Sequence, residues 1–510
     1  AREPGGATPE GDERPDFHVR ETEFRGLRVL RMTHRLAHGR LSESYRQPRA
    51  EAAFRAVLGT VKPDVVHFQH LLHLSAGLVD VARELGLPTV LHLHDYWALC
   101  ARVQLIRPDG VICERNMGLG CLACVKETGV ERIGLIERAG RVGGTDGLRS
   151  YAREALEKAR PGSAAERRWR DVGDLLDRQP FVLGAYAAAD LRISPSRFLR
   201  TKLLESGAFD PHTLLYSDNG MRTDHVEALT KTPGPNGLVR FGFVGSLVWY
   251  KGGEVLVRAM RLLRDAPVEL VFHGAFDPGG DPHHAELERL ARGTNTRFAG
   301  RFDNARLSEV YAKIDVLVVP SVWYENSPIT IHEAFLTRTP VLTSDIGGMA
   351  EYVRDGVDGL QFRVGDAEDL AEKMMRFVRE PRLLLELAAR APRVKSIEEN
   401  AAELEFRYRG LAARVQPAPA GPRTLLERSG RDAAAREGPV DEQGADMLLV
   451  RPGGGAVEYD LAGAGGGERS LVVDLFALGA EQRVDLGGRM FVDGHLVGAL
   501  PLVRSDTAER

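Results

Sequence analysis

The stretch LVRFGFVGSLVWYKGGEVLVRAMRLLRDAPVELVFHGAF (238–276) decides the fold. Its opening, LVRFGFVGSL (238–247), is a run of β-branched and aromatic residues ending at a glycine, and reads as a buried strand. GGEVLVRAMRLLRD (252–265) spaces its apolar residues as a helix does, and VELVFHGAF (268–276) returns to a strand. Strand, helix and strand at this distance make a βαβ unit with parallel strands.

The same alternation continues downstream. A helix over 307–314 leads to the strand DVLVVPSVW (315–323), the helix PITIHEAFLTR (328–338) and the strand PVLTSD (340–345). Five or so such repeats imply a doubly wound parallel sheet within a domain at 233–415. A second alternating region, 17–232, lies upstream. It holds a strand at Leu27–Met32, a helix at 50–61, the strand PDVVHFQH (63–70), the helix LSAGLVDVARELGL (74–87) and the strand PTVLHLHDYW (88–97). Residues 131–178 are helical and arginine-rich with a break at Pro161-Gly162, and strands follow in AADLRISPS (188–196) and HTLLYSDNG (212–220). KTPGPNG (231–237) reads as the linker between the two α/β domains. Residues 1–16 read as a disordered lead and 416–446 as a second linker. MLLV, AVEYDL, SLVVDLF, RVDLG, MFVDGHLVG and LPLV then suggest a small all-β module at 447–510, with no constellation that carries chemistry.

The chain has 510 residues, 43% hydrophobic and 27% charged, enough for more than one core. A net charge of -4 argues against a dedicated nucleic-acid binder. No run reaches the roughly 18 apolar residues of a membrane span, and no secretory signal opens the chain, so a cytoplasmic protein is expected. The chain starts at Ala1, not Met, and the expectation is a missing natural N-terminus.

Residues 316–359 are the most informative for chemistry. In YENSPITIHEAF, Ser327 is placed to cap a helix and Pro328 to fill its first position. A helix start at the C-terminal edge of a parallel sheet is an anion site. Glu325 precedes the cap and Glu333 falls in the second turn, where a carboxylate can accept from the vicinal hydroxyls of a ribose. Paired carboxylates are also common on ordinary helix surfaces, and spacing alone leaves both readings open.

E-x7-E in ENSPITIHEAF, with GGMAEYVRDGVDGL downstream, resembles the donor-binding signature of retaining family 4 glycosyltransferases. The resemblance covers most of 20–410 and includes FGFVGSLVWYKGG (241–253), VFHGAF (271–276), FAGRFDNARLSEVYAKIDVLVVPS (298–321), LHLHDYW (91–97) and ISPSRF (193–198) in order. It implies the glycosyltransferase-B architecture, two facing Rossmann-like domains. It implies that Glu333 binds the nucleotide ribose and that Glu325 stands near the donor sugar. By the same resemblance, Asn326, Ser327 and Pro328 match the loop whose amides approach sugar and phosphates, Lys251 a lysine that neutralises the diphosphate, and Gly245 a glycine that lets backbone approach the donor. Many relatives carry an arginine after that glycine; here it is Ser246, with Arg297 and Arg301 as possible substitutes. His94, with Asp95 at the same strand end, matches a histidine close to the sugar, and His67, His70, His73 and His92 read as cleft residues facing the acceptor. Relatives also open with a strand and a Gly-Gly loop that nothing at 1–30 matches, so the N-terminal domain is expected to lack its first strand.

The implied reaction moves a sugar from a nucleoside-diphosphate sugar to an acceptor hydroxyl with retention, in cell-envelope or exopolysaccharide synthesis. The acceptor is a glycan, a lipid-linked compound or a small molecule. The residues require no divalent metal, and no D-x-D pair is placed to hold one. Two alternatives stay open: a sugar-nucleotide epimerase of the same architecture, and a truncated donor-binding protein with little activity. Cys100, Cys113, Cys121 and Cys124, spaced C-x12-C-x7-C-x2-C, suggest a structural zinc, with free thiols or a redox pair as alternatives. The arginine-rich stretch 149–202 around Trp169 reads as a solvated helical face or as a peripheral contact with the inner face of the plasma membrane.

Overall fold

A computed structural model describes residues 16–34, 38–114, 118, 120–127, 144–224, 226–231, 234 and 237–415, and strands between 435 and 505. Residues 1–15 of the expected lead, 131–143 of the helical stretch and 416–434 of the expected linker lie outside the described residues. Ala1–Glu403 forms one compact unit and Leu404–Arg510 another.

The first unit contains two parallel α/β lobes. In the N-terminal lobe, β3 (Val66–Phe68), β4 (Thr89–His92), β5 (Leu191–Ser194) and β6 (Leu214–Tyr216) lie side by side in chain order, all parallel. The strand expected at Leu27–Met32 (β2) is present, but it pairs antiparallel with β1 (Val19–Phe24) in a separate hairpin.

The second lobe has six strands: β7 (Val239–Val244), β8 (Val268–His273), β9 (Thr296–Gly300), β10 (Val316–Val319), β11 (Val341–Ser344) and β12 (Gly359–Phe362). Their order is β12-β11-β10-β7-β8-β9, all parallel. The chain therefore winds one way from β7 and the other way from β10. These two strands lie side by side at the topological switch point, the edge where doubly wound sheets take ligands. All four residues of β10 and of β4 are buried, as expected for strands covered on both faces. Leu256, Val257 and Met260 from the helix Gly253–Leu262 join Phe241 and Phe272 in one core, and Ile331 and Phe335 from the helix Ile329–Leu336 join Leu317 and Val319 in another.

Leu404–Arg510 carries an antiparallel sheet of Ala435–Arg436, Gly455–Asp460, Ser470–Leu478, Val484–Val492 and His495–Ser505 in that order. A pair of strands, Val440–Glu442 and Leu448–Val450, stands beside it as a separate two-stranded sheet. Ala435–Arg436 and Val440–Glu442 fall in the stretch read from sequence as linker.

Candidate functional site

The loops after β7 and β10 build the site. Gly245 ends β7 at φ 145, a backbone conformation that favours glycine. Ser246 follows, exposed, and a short 3-10 turn Trp249–Lys251 brings the lysine back over the sheet edge. Lys251 Nζ lies 2.5 Å from Glu325 Oε1. The same oxygen accepts from Ser321 Oγ at 2.7 Å and Trp323 Nε1 at 3.0 Å. Glu325 is 6% exposed, so three donors hold a buried carboxylate where the two loops meet.

The helix carrying Glu333 is Ile329–Leu336, with Pro328 at its cap position and no side-chain cap. The expected arrangement is thus corrected by one residue: Pro328 precedes the first helical position. Ser327 does not cap, because its hydroxyl accepts from Asn219 Nδ2 at 3.1 Å and donates to Asp218 Oδ1 at 3.4 Å, across the lobe boundary. Glu333 Oε2 accepts from the buried Tyr311 hydroxyl at 3.1 Å. Burial keeps that phenol firmly protonated, as a donor.

Asn326 is 7% exposed, and its side chain ties the lobes together. Nδ2 donates to His94 O at 3.1 Å, and Oδ1 accepts from the buried Ser196 hydroxyl. Around this loop Gly348 N–H donates to Glu325 O at 2.7 Å. A Cβ on Gly348 would stand 1.7 Å from Asn326 O, so the Gly-Gly of GGMAEY is needed for close approach.

Three residues that the sequence reading passed over complete the lobe contact. Glu351 accepts from Arg197 N at 2.9 Å and Phe198 N at 2.7 Å, capping the helix Arg197–Glu205 from the other lobe. Asp218 accepts from Tyr352 Oη at 2.6 Å and His332 Nε2 at 3.1 Å. His332, 3% exposed, has Nδ1 3.0 Å from Pro328 O. Both ring nitrogens thus face acceptors, which only the doubly protonated imidazolium satisfies. Burial pulls its pKa down, but the bond to Asp218, that carboxylate's charge and the Pro328 carbonyl outweigh it and leave it raised. No local pattern announces these residues; only their HEAF and AEY contexts do.

On the facing lobe, His94 is exposed at the end of β4, with Nε2 2.7 Å from Gln69 Oε1. Desolvation lowers its pKa, so the ring is neutral at neutral pH. His67, His92 and His94 stack, with centroids 5.7 Å and 4.5 Å apart. Burial, with the neighbouring imidazoles, depresses His67 to about 4 and His92 to about 3. Asp95 accepts from Trp97 N at 2.8 Å and pairs with His70 at 2.5 Å. His73 lies apart from the stack, beside His38 at 3.1 Å.

Of the two possible substitute cations, Arg297 pairs with Glu269 of β8, at 2.8 Å. Arg301 is exposed and directly follows the C-terminal end of β9. The four cysteines line one cavity, and none is in a disulfide. Among the described residues no three His, Cys, Asp or Glu side chains are gathered as a metal set. In 149–202 several arginines turn inward: Arg149 donates to Leu176 O at 2.8 Å, and Arg178 and Arg192 are buried. Among the described residues no helix is long and apolar enough to cross a membrane.

Residues 239–380 match the family described as glycosyl transferases group 1, and residues 6–117 match the glycosyl transferase 4-like domain. The chain is 27% identical over 218 residues to the sulfoquinovosyl transferase of Arabidopsis thaliana, covering 40% of this chain and 41% of that protein. It is 29% identical over 276 residues to the D-inositol 3-phosphate glycosyltransferase of Geodermatophilus obscurus, covering 50% of this chain and 61% of the relative. The chain thus spans 41% and 61% of the length of these curated relatives. Sucrose-phosphate synthase from Thermosynechococcus elongatus superposes with a TM-score of 0.50 at 19% identity, over 79% of this chain and 87% of that one, which shows the two-lobed fold. The two family matches fall one on each lobe, in this order along the sequence, and support a group 1 glycosyltransferase.

Proposed function

We propose that the chain transfers a glycosyl group from a nucleoside-diphosphate sugar to an acceptor hydroxyl, with retention at the anomeric carbon. The observation that carries this reading is the meeting of Lys251 and Glu325 at the β7/β10 switch point, beside the start of the helix Ile329–Leu336. A diphosphate is held by a cation and backbone N–H groups, the roles this reading gives to Lys251 and the start of that helix. Glu333, held by Tyr311, takes the ribose hydroxyls. As the bond from the anomeric carbon to phosphate oxygen breaks, charge builds on the leaving diphosphate, and Lys251 with the amides after Ser327 offsets it. Arg301 supplies the second cation that Ser246 does not. The acceptor lies against the N-terminal lobe, beside the neutral imidazole of His94. The product belongs to cell-envelope or exopolysaccharide synthesis at the cytoplasmic membrane face, a placement that rests on family likeness.

A thermal-shift screen against UDP-, GDP- and ADP-sugars tests the donor site, with Glu333→Ala and Arg301→Ala beside the wild type. One sugar nucleotide should stabilise the wild type and both variants less; equal stabilisation of Glu333→Ala would sink the assignment. Anomeric proton couplings of the product, read by NMR, decide retention.

A further inference from the structure

All four cysteines of the chain border one cavity of about 420 Å³ in the segment that follows β4. They reach it from three places. Cys100 ends the turn that begins at Tyr96, whose carbonyl accepts its N–H at 2.8 Å. Cys113 follows a small antiparallel bridge, Ile106 to Ile112, closed by a turn with Gly110 at φ 82. Cys121 and Cys124 lie three residues apart on the helix Gly120–Lys126, so both face the same side. We propose that these thiols bind one zinc ion as a tetrathiolate site that holds this segment in place.

Four observations support this. The ligand set is complete: one sulfur from the turn at Cys100, one from beyond the Ile106–Ile112 bridge and two from a C-x2-C helix, none of them in a disulfide. The Gly118 N–H points at Cys121 Sγ, at 3.5 Å, the kind of donor that stabilises a coordinating thiolate. A zinc tetrathiolate carries two net negative charges, and cations are at hand. Arg178, 1% exposed, lies within electrostatic reach of Cys100 and Cys121, and Arg102 donates to Cys124 O at 3.1 Å. Finally, the backbone of the segment is strained where it approaches the cavity. Val103 and Leu105 sit at φ 76 and 52, strained for branched side chains, and Leu122 packs on the small cluster of Ala152, Val172 and Leu176. As placed, the sulfurs ring the cavity without meeting at its centre. Ligation at a Zn–S distance of about 2.3 Å draws them inward and displaces four thiol protons.

The consequence reaches the candidate site. Gln104 lies beside Tyr250 and Glu114 beside Tyr324, the neighbours of Lys251 and Glu325. The metal would therefore fix one wall of the cleft without touching the reacting groups.

The test is elemental analysis of the full chain, purified under reducing conditions with zinc present and then gel-filtered. About one zinc per chain is expected, and a Cys121→Ser/Cys124→Ser chain should retain none. Should that variant fail to fold, cobalt(II) added to the metal-stripped wild type gives an independent reading. Tetrahedral ligand-field bands with an intense sulfur-to-cobalt charge-transfer band support the site. A wild-type chain that holds no zinc, a cobalt spectrum of octahedral oxygen ligation, stoichiometric iron in place of zinc, or a Cys121–Cys124 disulfide by mass spectrometry overturns it.

Discussion

Lys251 and Glu325 form a close ion pair, Nζ to Oε1 at 2.5 Å, from loops that leave adjacent strands on either side of the sheet's switch point. Their side chains are 28% and 8% exposed, so the carboxylate depends on the lysine for much of its compensation. A diphosphate entering the site must compete with Glu325 for the same ammonium. Opposite effects of the two single changes follow. Lys251→Met should weaken nucleoside-diphosphate binding and lower kcat by about 100- to 1000-fold, the usual loss for a group that meets developing charge. Glu325→Gln should bind free nucleoside diphosphate more tightly than the wild type while still transferring poorly. Calorimetric titration with the diphosphate checks both. If Glu325→Gln weakens binding as Lys251→Met does, the two groups do not compete.

Gly348→Ala puts a methyl group 1.7 Å from Asn326 O, and backbone cannot yield as a flexible side chain can. The loop holding Glu325 and Asn326 must shift. Overpacking of this kind costs about 1–3 kcal/mol. A lowered Tm with a larger fractional loss of donor affinity is expected, whereas Gly356→Ala, at φ 72 in the open, should lower Tm and leave donor affinity intact. Equal donor affinity in Gly348→Ala and wild type would show that the loop does not depend on this approach.

Most of the parallel framework was legible in the sequence, because strands such as VLVV at 316–319 are continuous apolar runs bounded by polar turns. Two strands escaped. Thr296–Gly300 is half-exposed and alternating, and Gly359–Phe362 is four residues long behind a Gly-rich turn. The carboxylate pair was legible because both members lie within one local motif. The lobe contact was not. Ser196 and Asn326 are 130 residues apart, and Asp218 and His332 are 114 apart. Only the folded chain brings them together. The same cause misled the capping argument: Ser327 had the right neighbours for a cap, but Asp218 and Asn219 engage its hydroxyl.

Asn326 should matter for coupling the lobes more than for holding the donor. Its amide bonds His94 O, and its carbonyl oxygen takes the Ser196 hydroxyl, all in buried surroundings. Asn326→Ala leaves these partners unsatisfied, at about 1–3 kcal/mol. Hydrogen exchange should rise at 93–95 and 194–198. Donor affinity should change by less than kcat, which needs the two lobes in register. If exchange at those segments is unchanged, the side chain does not couple the lobes.

Histidines of opposite tendency set the pH range in which the first unit is most stable. His332 has its folded pKa raised above the unfolded value of about 6.5. It therefore contributes stability that is fully present below that value and is lost as pH rises through the folded pKa. His67 and His92 are depressed to about 4 and about 3. The unfolded chain takes up their protons first, so they remove stability as pH falls below about 6.5 toward those values. Unfolding free energy should thus pass through a maximum near neutral pH and decline on both sides. His332→Gln keeps one hydrogen bond but not the charge facing Asp218, and should remove the alkaline decline while lowering stability most at slightly acid pH. His92→Phe, with no nitrogen to protonate, should flatten the acid limb. Denaturant titrations at half-unit pH steps read both limbs. An alkaline decline of equal slope in His332→Gln would rule out the His332–Asp218 pair as its source.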